Sequence, residues 1–324
     1  MSSSGSYFYR CYSDSSAGAL ISGKGHALGR PFGSVHLHAE FDNHIELRIK
    51  KCTAPVSTIN RLIDTLRRAF SKAYNGHEDP TQVWVAFFCV PDIDRHIYHH
   101  AEDLAKRWDL PNPERLRYEY IFEWEIPKRY LIHKVSVKTL MERGLHMGGC
   151  LPDYTIPPTA ELKEDFARIY LDPTNDGLFN GIALGNLARY FGARAPVRQI
   201  AHQLVQDCVG YVDHDAQLVS VSYGNNVVKH IDFAFFRGMD DGIEIALIDW
   251  WLTDSNFANA YGDYCVWASQ IEERLVTECE ALYEALLDDE DASIERYERE
   301  KQRLREEHHQ VVVEVENAAI DLGL

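Results

Sequence analysis

Three carboxylates stand close together near residue 240, directly in front of an apolar run. Asp240, Asp241 and Glu244 precede residues 245–252, which are apolar except for Asp249. Carboxylates beside apolar side chains are stabilised by a cation, because burial penalises the ionised groups. The candidate cations are a metal ion, an ammonium group and a guanidinium. Of these, a guanidinium pairs with a carboxylate through two directed hydrogen bonds.

The spacing of these acids resembles the Asp-Asp-x-x-Glu motif of fungal arginine-containing cyclodipeptide synthases. The resemblance implies an enzyme that joins arginine to a second amino acid, with arginyl-tRNA and another aminoacyl-tRNA as donors. The activated esters drive the reaction, so no cofactor is implied. One or two of the carboxylates Asp240, Asp241 and Glu244 would grip the arginine side chain, and another would act as general base. Which carboxylate does which is left open.

The local pattern around the motif predicts a β-hairpin. Residues 231–236 and 243–252 have the composition of strands, and the Asp-Gly pair between them is a strong turn signal. This geometry would place Glu244 at the mouth of a strand and both aspartates on the turn.

The first half of the chain resembles a second family, the ADP-ribosyltransferase-like fold in its Arg-Ser-Glu subgroup, and an uncharacterised fungal domain family with the same layout. Arg10 ends the first expected strand, Ser34 lies in the segment Phe32–His36, and Glu119 precedes an Ile-Pro pair by seven residues. The resemblance implies substrate-binding roles for these three residues, with Arg10 on the pyrophosphate of NAD and Glu119 beside the oxocarbenium ion. Three residues depart from the pattern. Val35 and His36 replace Thr-Ser, and Arg117 stands where an arginine-modifying transferase would carry Glu or Gln.

The charge of the chain limits its partners. A net charge of −17 favours cationic or small neutral ligands and argues against DNA or broad nucleic-acid binding. Binding of tRNA therefore requires that the basic residues be segregated. Several of them lie close together, which predicts a basic face around residues 48–72; they are Lys50, Lys51, Arg61, Arg67, Arg68 and Lys72.

Composition and residue spacing also predict where the protein is located and whether it binds a metal. Seven cysteines are scattered without a C-x-x-C pair, which is typical of reduced thiols in a cytoplasmic protein. No apolar run reaches membrane-spanning length, and the N-terminus has no apolar signal region. The histidines near residue 100 have helical spacing but no second ligand pair, so no metal site is predicted.

The pattern of apolar residues predicts an α+β protein with two domains. Residues 1–147 would form an ADP-ribosyltransferase-like split β-sandwich with helices, including a helix over 57–74 that starts at Ser57 or Thr58. Residues 148–324 would form a mainly helical domain with a small sheet, carrying the Asp-Asp-x-x-Glu motif. Glycines and prolines at 145–160 mark the linker, and residues 294–315 predict a charged, solvated helix.

Three function classes follow from these patterns. The leading hypothesis is synthesis of an arginine-containing cyclic dipeptide for secondary metabolism. The alternative is an NAD-dependent ADP-ribosyltransferase that uses Arg10, Ser34 and Glu119. A further alternative is a non-catalytic binding module with the charged C-terminal helix as its partner surface.

Overall fold

The computed structural model describes residues 5–25, 34–46, 53–146, 156–192, 194–224, 227–253, 273–284 and 294–322. The chain is mixed α/β and divides into two compact units, Met1–Ala246 and Leu247–Leu324. The linker expected at 145–160 therefore falls inside the first unit, and residues 147–155 lie outside the described part of the chain.

The first unit is built on a six-stranded antiparallel sheet. Its strands follow the spatial order β4-β5-β2-β1-β3-β6. In chain order they are β1 (Gly5–Tyr12), β2 (Pro55–Ile59), β3 (Trp84–Pro91), β4 (Tyr98–His100), β5 (Glu119–Glu123) and β6 (Leu131–Ser136). β3 reads as a nearly continuous apolar run because it is an inner strand with helices and core on its two faces.

The register between β1 and β3 places one aromatic layer on each face of the sheet. Phe8 pairs with Phe88, and the next residues along, Tyr9 and Phe87, pair on the opposite face. The first pair belongs to a buried cluster with Phe122. The second pair faces helices, since the Phe87 ring meets the Phe191 ring in an edge-on contact at 5.7 Å.

Four α-helices accompany this sheet: α1 (Ser34–Ile45), α2 (Leu62–Tyr74), α3 (Ala101–Arg107) and α4 (Val137–Glu142). The helix predicted over 57–74 is confirmed from Leu62 onward, but its predicted start is wrong. Ser57 and Thr58 lie in β2, where Thr58 is buried and pairs with Tyr120. The β-branched residues Val56, Thr58 and Ile59 suit a strand better than a helix, and tertiary pairing decides between them.

The rest of the first unit is helical with a small sheet. Three helices, α5 (Thr159–Tyr170), α6 (Gly177–Ala188) and α7 (Val197–Cys208), precede a three-stranded antiparallel sheet of β7 (Val209–Asp213), β8 (Leu218–Ser222) and β9 (Val228–Asp232). α7 contacts α2, α5 and α6 and so joins the helical group to the six-stranded sheet. Short 3₁₀ helices occupy Asp92–Ile97, Pro113–Leu116, Lys128–Tyr130 and Arg189–Phe191.

The β-hairpin predicted around residue 242 is wrong. Residues 233–253 form one α-helix, α8 (Phe233–Thr253), and the Asp-Asp-x-x-Glu motif lies inside it. Gly242 is there because α8 packs directly against α6: a Cβ on Gly242 would lie 2.1 Å from the carbonyl oxygen of Leu178. On the facing helix, a Cβ on Gly181 would lie 2.1 Å from the carbonyl oxygen of Met239. Gly242, which the sequence pattern marks as a turn residue, thus allows two helices to pack closely.

The described residues of the second unit are helical, and they begin with the last residues of α8. Residues 273–284 are helical (α9), and α10 (Ile294–Leu322) follows. The predicted charged helix over 294–315 is confirmed, with Arg303 paired to Glu300 at 2.9 Å and to Glu307 at 2.7 Å. Among the described helices, none has both the length and the apolar composition that a membrane crossing needs.

Candidate functional site

Two of the three motif carboxylates lie on one face of α8 and point at α7. Asp240 and Glu244 are one helical turn apart, and so are His202 and Arg198 on α7. Asp240 Oδ1 lies 3.1 Å from His202 Nε2, and Glu244 Oε1 lies 2.7 Å from Arg198 Nε. Asp241 is exposed. The structure therefore brings together two motif acids, an imidazole and a guanidinium, which we call the α7–α8 charged face (Arg198, His202, Asp240 and Glu244).

The two ion pairs of this face are close but poorly aligned. His202 Nε2 and Glu244 Oε1 are individually buried atoms, and neither has a hydrogen-bond partner of good geometry among the described residues. The atoms of each pair are close enough for a hydrogen bond, but the angles between them are unfavourable. A hydrogen bond with unfavourable angles is weak. The Arg198 and Asp240 side chains are 64% and 60% exposed, so each pair contributes about 1 kcal/mol or less to stability.

A second constellation is an open cleft of about 550 Å³ beside α2, which we call the basic cleft. Its cationic residues are Arg61, Arg67, Arg68, Lys72 and Arg115, and its acidic residues are Asp64, Glu78 and Glu119. Ile59, Ser71, Asn75, Gly76, Tyr118 and Thr159 complete the lining. A basic face was expected around residues 48–72. Its described members are Arg61, just before α2, and Arg67, Arg68 and Lys72 on α2, and all four line the basic cleft. Residues 47–52 lie outside the described part of the chain.

Several cleft cations are held by neighbours and others are not. The Arg61 guanidinium lies over the Tyr118 ring, 3.3 Å from its centroid, and Arg67 Nε donates to the Pro157 carbonyl at 2.7 Å. Lys72 Nζ pairs with Glu78 Oε1 at 3.1 Å. Arg68, by contrast, is exposed and makes no hydrogen bond or ion pair with any residue in the described ranges.

Glu119 lies at the start of β5, where it pairs in register with Ile59 and lines the basic cleft. Its Oε1 lies 3.3 Å from His44 Nε2, and His44 Nδ1 contacts Thr53 Oγ1 at 3.0 Å. Burial by itself would raise the pKa of Glu119. The hydrogen bond and charge of His44, together with the charge of Arg68, outweigh burial and hold this pKa below its usual value. Glu119 is therefore a stable carboxylate in a cationic cleft.

Arg10, on β1, is anchored to the backbone. Its Nε donates to the Ala19 carbonyl at 2.7 Å, its Nη2 donates to the Gly18 carbonyl at 2.8 Å, and its Nη1 donates to the Ser57 carbonyl. Burial, with the nearby charge of Arg68, lowers the pKa of Arg10 to about 10. These contacts fasten the loop after β1 to β2, so a large part of the guanidinium's donor capacity is already used.

Ser34 does not lie on a strand, and this expectation is corrected by the structure. Residues 34–45 form α1, which buries Leu37 and Phe41 against α3. The partial alternation of Val35, Leu37, Phe41 and Ile45 also fits a helical stripe with four-residue spacing, and packing against α3 selects the helix. Ser34 stands at the first position of α1, and residues 26–33 before it lie outside the described part.

A buried polar network was missed at the level of sequence. Asp207 on α7 is 3% exposed, and its Oδ2 accepts the Ile63 backbone N–H at 2.7 Å. Its Oδ1 accepts from Gln203 Nε2 at 2.9 Å, while Gln203 Oε1 accepts from the Tyr9 hydroxyl at 3.3 Å. Burial raises the pKa of Asp207 to about 6 against the opposing effect of these donors. No local signal marks the network, since its members are up to 194 positions apart.

The histidine-rich segment near residue 100 is not a zinc-binding helix. Residues 98–100 form β4, and His99 Nε2 contacts Glu123 Oε1 at 2.8 Å across the strand pair. Within the described ranges, no group of three His, Cys, Asp or Glu side chains has the arrangement of a metal site. The described cysteines, Cys11, Cys89, Cys208 and Cys279, are free thiols.

Comparison with known proteins gives one match. Residues 4–140 match a family described as a domain of unknown function, DUF7587. The match spans the six-stranded sheet together with α1–α3 and most of α4, and it includes Arg10, Ser34 and Glu119 but ends before the α7–α8 charged face. No curated protein matches the chain. No solved structure matches it either.

Proposed function

We propose that this protein is an aminoacyl-tRNA-dependent synthase of an arginine-containing cyclic dipeptide, with its centre on the α7–α8 charged face. The observation that supports this is the contact of Glu244 Oε1 with the Arg198 guanidinium at 2.7 Å. In this contact Arg198 stands in for the side chain of a substrate arginine. Asp240 and the exposed Asp241 lie within one turn of Glu244, as a guanidinium clamp of two or three carboxylates requires.

The same face offers the groups for acyl transfer. In each of two rounds an amine attacks the carbonyl of an aminoacyl ester, the tRNA 3′ oxygen leaves, and a proton passes from the nitrogen to a base. His202, held 3.1 Å from Asp240, is a base candidate beside the carboxylates. Substrate placement, rather than a cofactor, would supply most of the rate enhancement.

The basic cleft supports tRNA as the partner. An overall charge of −17 disfavours polyanions, but the cleft gathers five cationic side chains into one concave surface. Local positive potential attracts phosphates even on an acidic protein. Arg68 and Arg115, both exposed, are the cleft residues best placed to contact a phosphodiester. The reaction would take place in the cytoplasm, where aminoacyl-tRNAs are available.

An NAD-dependent ADP-ribosyltransferase is the second candidate, and Glu119 is the residue that favours it. A carboxylate in a cationic cleft next to Arg10 and Arg68 suits an anionic dinucleotide with a developing positive charge on its sugar. Two features weaken this candidate: the Arg10 guanidinium is committed to backbone carbonyls, and Ser34 begins a helix. The ADP-ribosyltransferase-like fold of residues 1–147 belongs to the same proposal. A non-catalytic module on this scaffold is the third candidate.

Metabolite mass spectrometry of a microbial host that expresses the chain distinguishes these candidates. We expect a new arginine-containing cyclic dipeptide, which Glu244→Gln abolishes. The matched control is Glu142→Gln, since Glu142 also forms an exposed ion pair, with Lys138 at 3.3 Å on α4. No product from folded protein would overturn the synthase proposal. Consumption of NAD that depends on Glu119 would instead support the transferase, and neither activity would support the binding module.

A further inference from the structure

A second cavity, of about 520 Å³, has a lining whose chemistry differs from that of the basic cleft. Ile59, Arg61 and Glu119 line the basic cleft, whereas their chain neighbours Asn60 and Tyr120 line this second cavity. The second cavity lies where β1 begins and β2 ends, since its lining includes Tyr7 and Phe8 from the two faces of β1. A volume of this size is in the range of small-molecule pockets, about 300–1,000 Å³.

The cavity has an amide wall and an aromatic wall. The residues that line it include Gln199, Gln203 and Gln206, Tyr7, Tyr98 and Tyr120, and Arg95. The three glutamines follow one stripe of α7 at four- and three-residue spacing, and the three tyrosines come from β1, β4 and β5. Arg95 is the one cation among these residues, and it is exposed and paired with Asp92 at 3.1 Å. The lining therefore favours a neutral, flat ligand over an ion.

Asn60 lines this cavity and carries a buried acceptor without a partner in the described part of the chain. Its Oδ1 is buried and has no hydrogen-bond partner among the described residues, and its Nδ2 reaches the Tyr120 hydroxyl only at 3.5 Å. Gln203, in the same lining, uses both ends of its amide, with Tyr9 on one side and the Asn60 carbonyl and Asp207 on the other. A buried acceptor without a donor is unfavourable, and rotation of the loosely held amide toward the cavity would let a ligand N–H satisfy it.

We propose that this cavity binds a neutral heterocycle whose edge carries an exocyclic amino group beside a ring nitrogen, as adenine and cytosine do. The Asn60 amide offers an acceptor next to a donor, and such an amide pairs with this edge through two hydrogen bonds. Tyrosine rings and glutamine amides on the walls suit the flat faces of a base. The ligand is either a free nucleoside or an unpaired base of an RNA strand. The inference is independent of the synthase proposal.

Isothermal titration calorimetry of the full chain with matched nucleosides tests this inference. We expect saturable binding of adenosine and cytidine, with inosine and uridine about 10-fold weaker or more, because each replaces the amino group by an oxygen. Tighter binding of a tri-adenylate RNA than of adenosine identifies an RNA base, and weaker binding identifies a free nucleoside. Equal binding of adenosine and inosine, or no saturable binding of either, would overturn the inference.

Variants locate the binding site. Asn60→Leu removes the amide edge and Asn60→Asp removes its donor, and we expect both to weaken adenosine binding about 10-fold or more. The matched control is Asn43→Leu on α1, where an exposed amide donates to the Ala39 carbonyl at 2.7 Å. Wild-type affinity in the Asn60 variants would overturn the assignment. Should Asn60→Leu fail to fold, as circular dichroism would show, the adenosine and inosine comparison on the wild-type chain still decides.

Discussion

Gly242 on α8 packs against the carbonyl oxygen of Leu178 on α6 so closely that a Cβ would lie 2.1 Å from that oxygen. The obstacle is backbone, which cannot swing aside as a side chain can. A methyl group at this position must therefore push the two helices apart. Because Asp241 and Glu244 flank Gly242 on α8, the close approach of these helices also fixes where the motif acids lie.

Gly242→Ala is expected to destabilise the protein by about 1–3 kcal/mol, as overpacking of a close contact does. Urea denaturation at fixed pH measures the change in the free energy of unfolding. Gly238→Ala, one turn earlier on α8, is the matched control. Its Cβ would lie 3.2 Å from the Leu178 backbone nitrogen, and the gain in helix propensity of up to about 1 kcal/mol offsets that tighter contact. Equal stability of the two variants would contradict close α6–α8 packing.

The Gly242 result shows what the sequence could and could not predict. The Asp-Gly pair has the same local pattern in a hairpin and in a tightly packed helix, and only α6 decides between them. The helices α5 and α7 were predictable because their apolar stripes are local signals. The basic residues of α2 were predictable as a group because they lie close together in the sequence. Asp207 was not, since it meets Ile63 across 144 positions and no periodicity encodes such a contact.

Asp207 is expected to make stability depend on pH. Its folded-state pKa is raised to about 6 by burial, so the folded state binds a proton more tightly than the unfolded state does. The favourable effect of that proton is complete below about pH 4 and is lost as pH rises through about 6, which lowers stability by about 3 kcal/mol. Asp207→Asn should remove this slope from urea denaturation curves measured between pH 4 and 7.

A capping aspartate on the surface controls for the pH effect. Asp232 Oδ1 accepts the Phe235 backbone N–H at 2.8 Å at the start of α8, and its side chain is exposed. Asp232→Asn makes the same chemical change at an exposed cap and keeps the capping oxygen, so it should leave the slope between pH 4 and 7 in place. An unchanged slope in Asp207→Asn would show that other groups cause it.

Arg198 is expected to compete with substrate arginine for Glu244. Arg198→Ala removes the internal guanidinium, so the yield of the proposed cyclic dipeptide should be maintained or increased. The ion pair is exposed, and the free energy of unfolding should change by about 1 kcal/mol or less. Mass spectrometry of the product and thermal unfolding measure the two effects. Loss of product from folded Arg198→Ala would instead make Arg198 part of the reaction.

The basic cleft predicts a specific salt dependence of tRNA binding. Each arginine–phosphate contact releases counterions, so removing Arg68 and Arg115 together should lower the slope of log K against log salt by about 1.5–2. Fluorescence anisotropy with a labelled tRNA between low and moderate salt measures this slope. Arg168→Ala, on α5 and outside the cleft lining, removes an exposed arginine that pairs with Asp165 and should leave the slope unchanged. An unchanged slope in the double variant would show that tRNA binds elsewhere. An equal loss of slope in Arg168→Ala would show that binding depends on the total charge of the protein and not on the cleft.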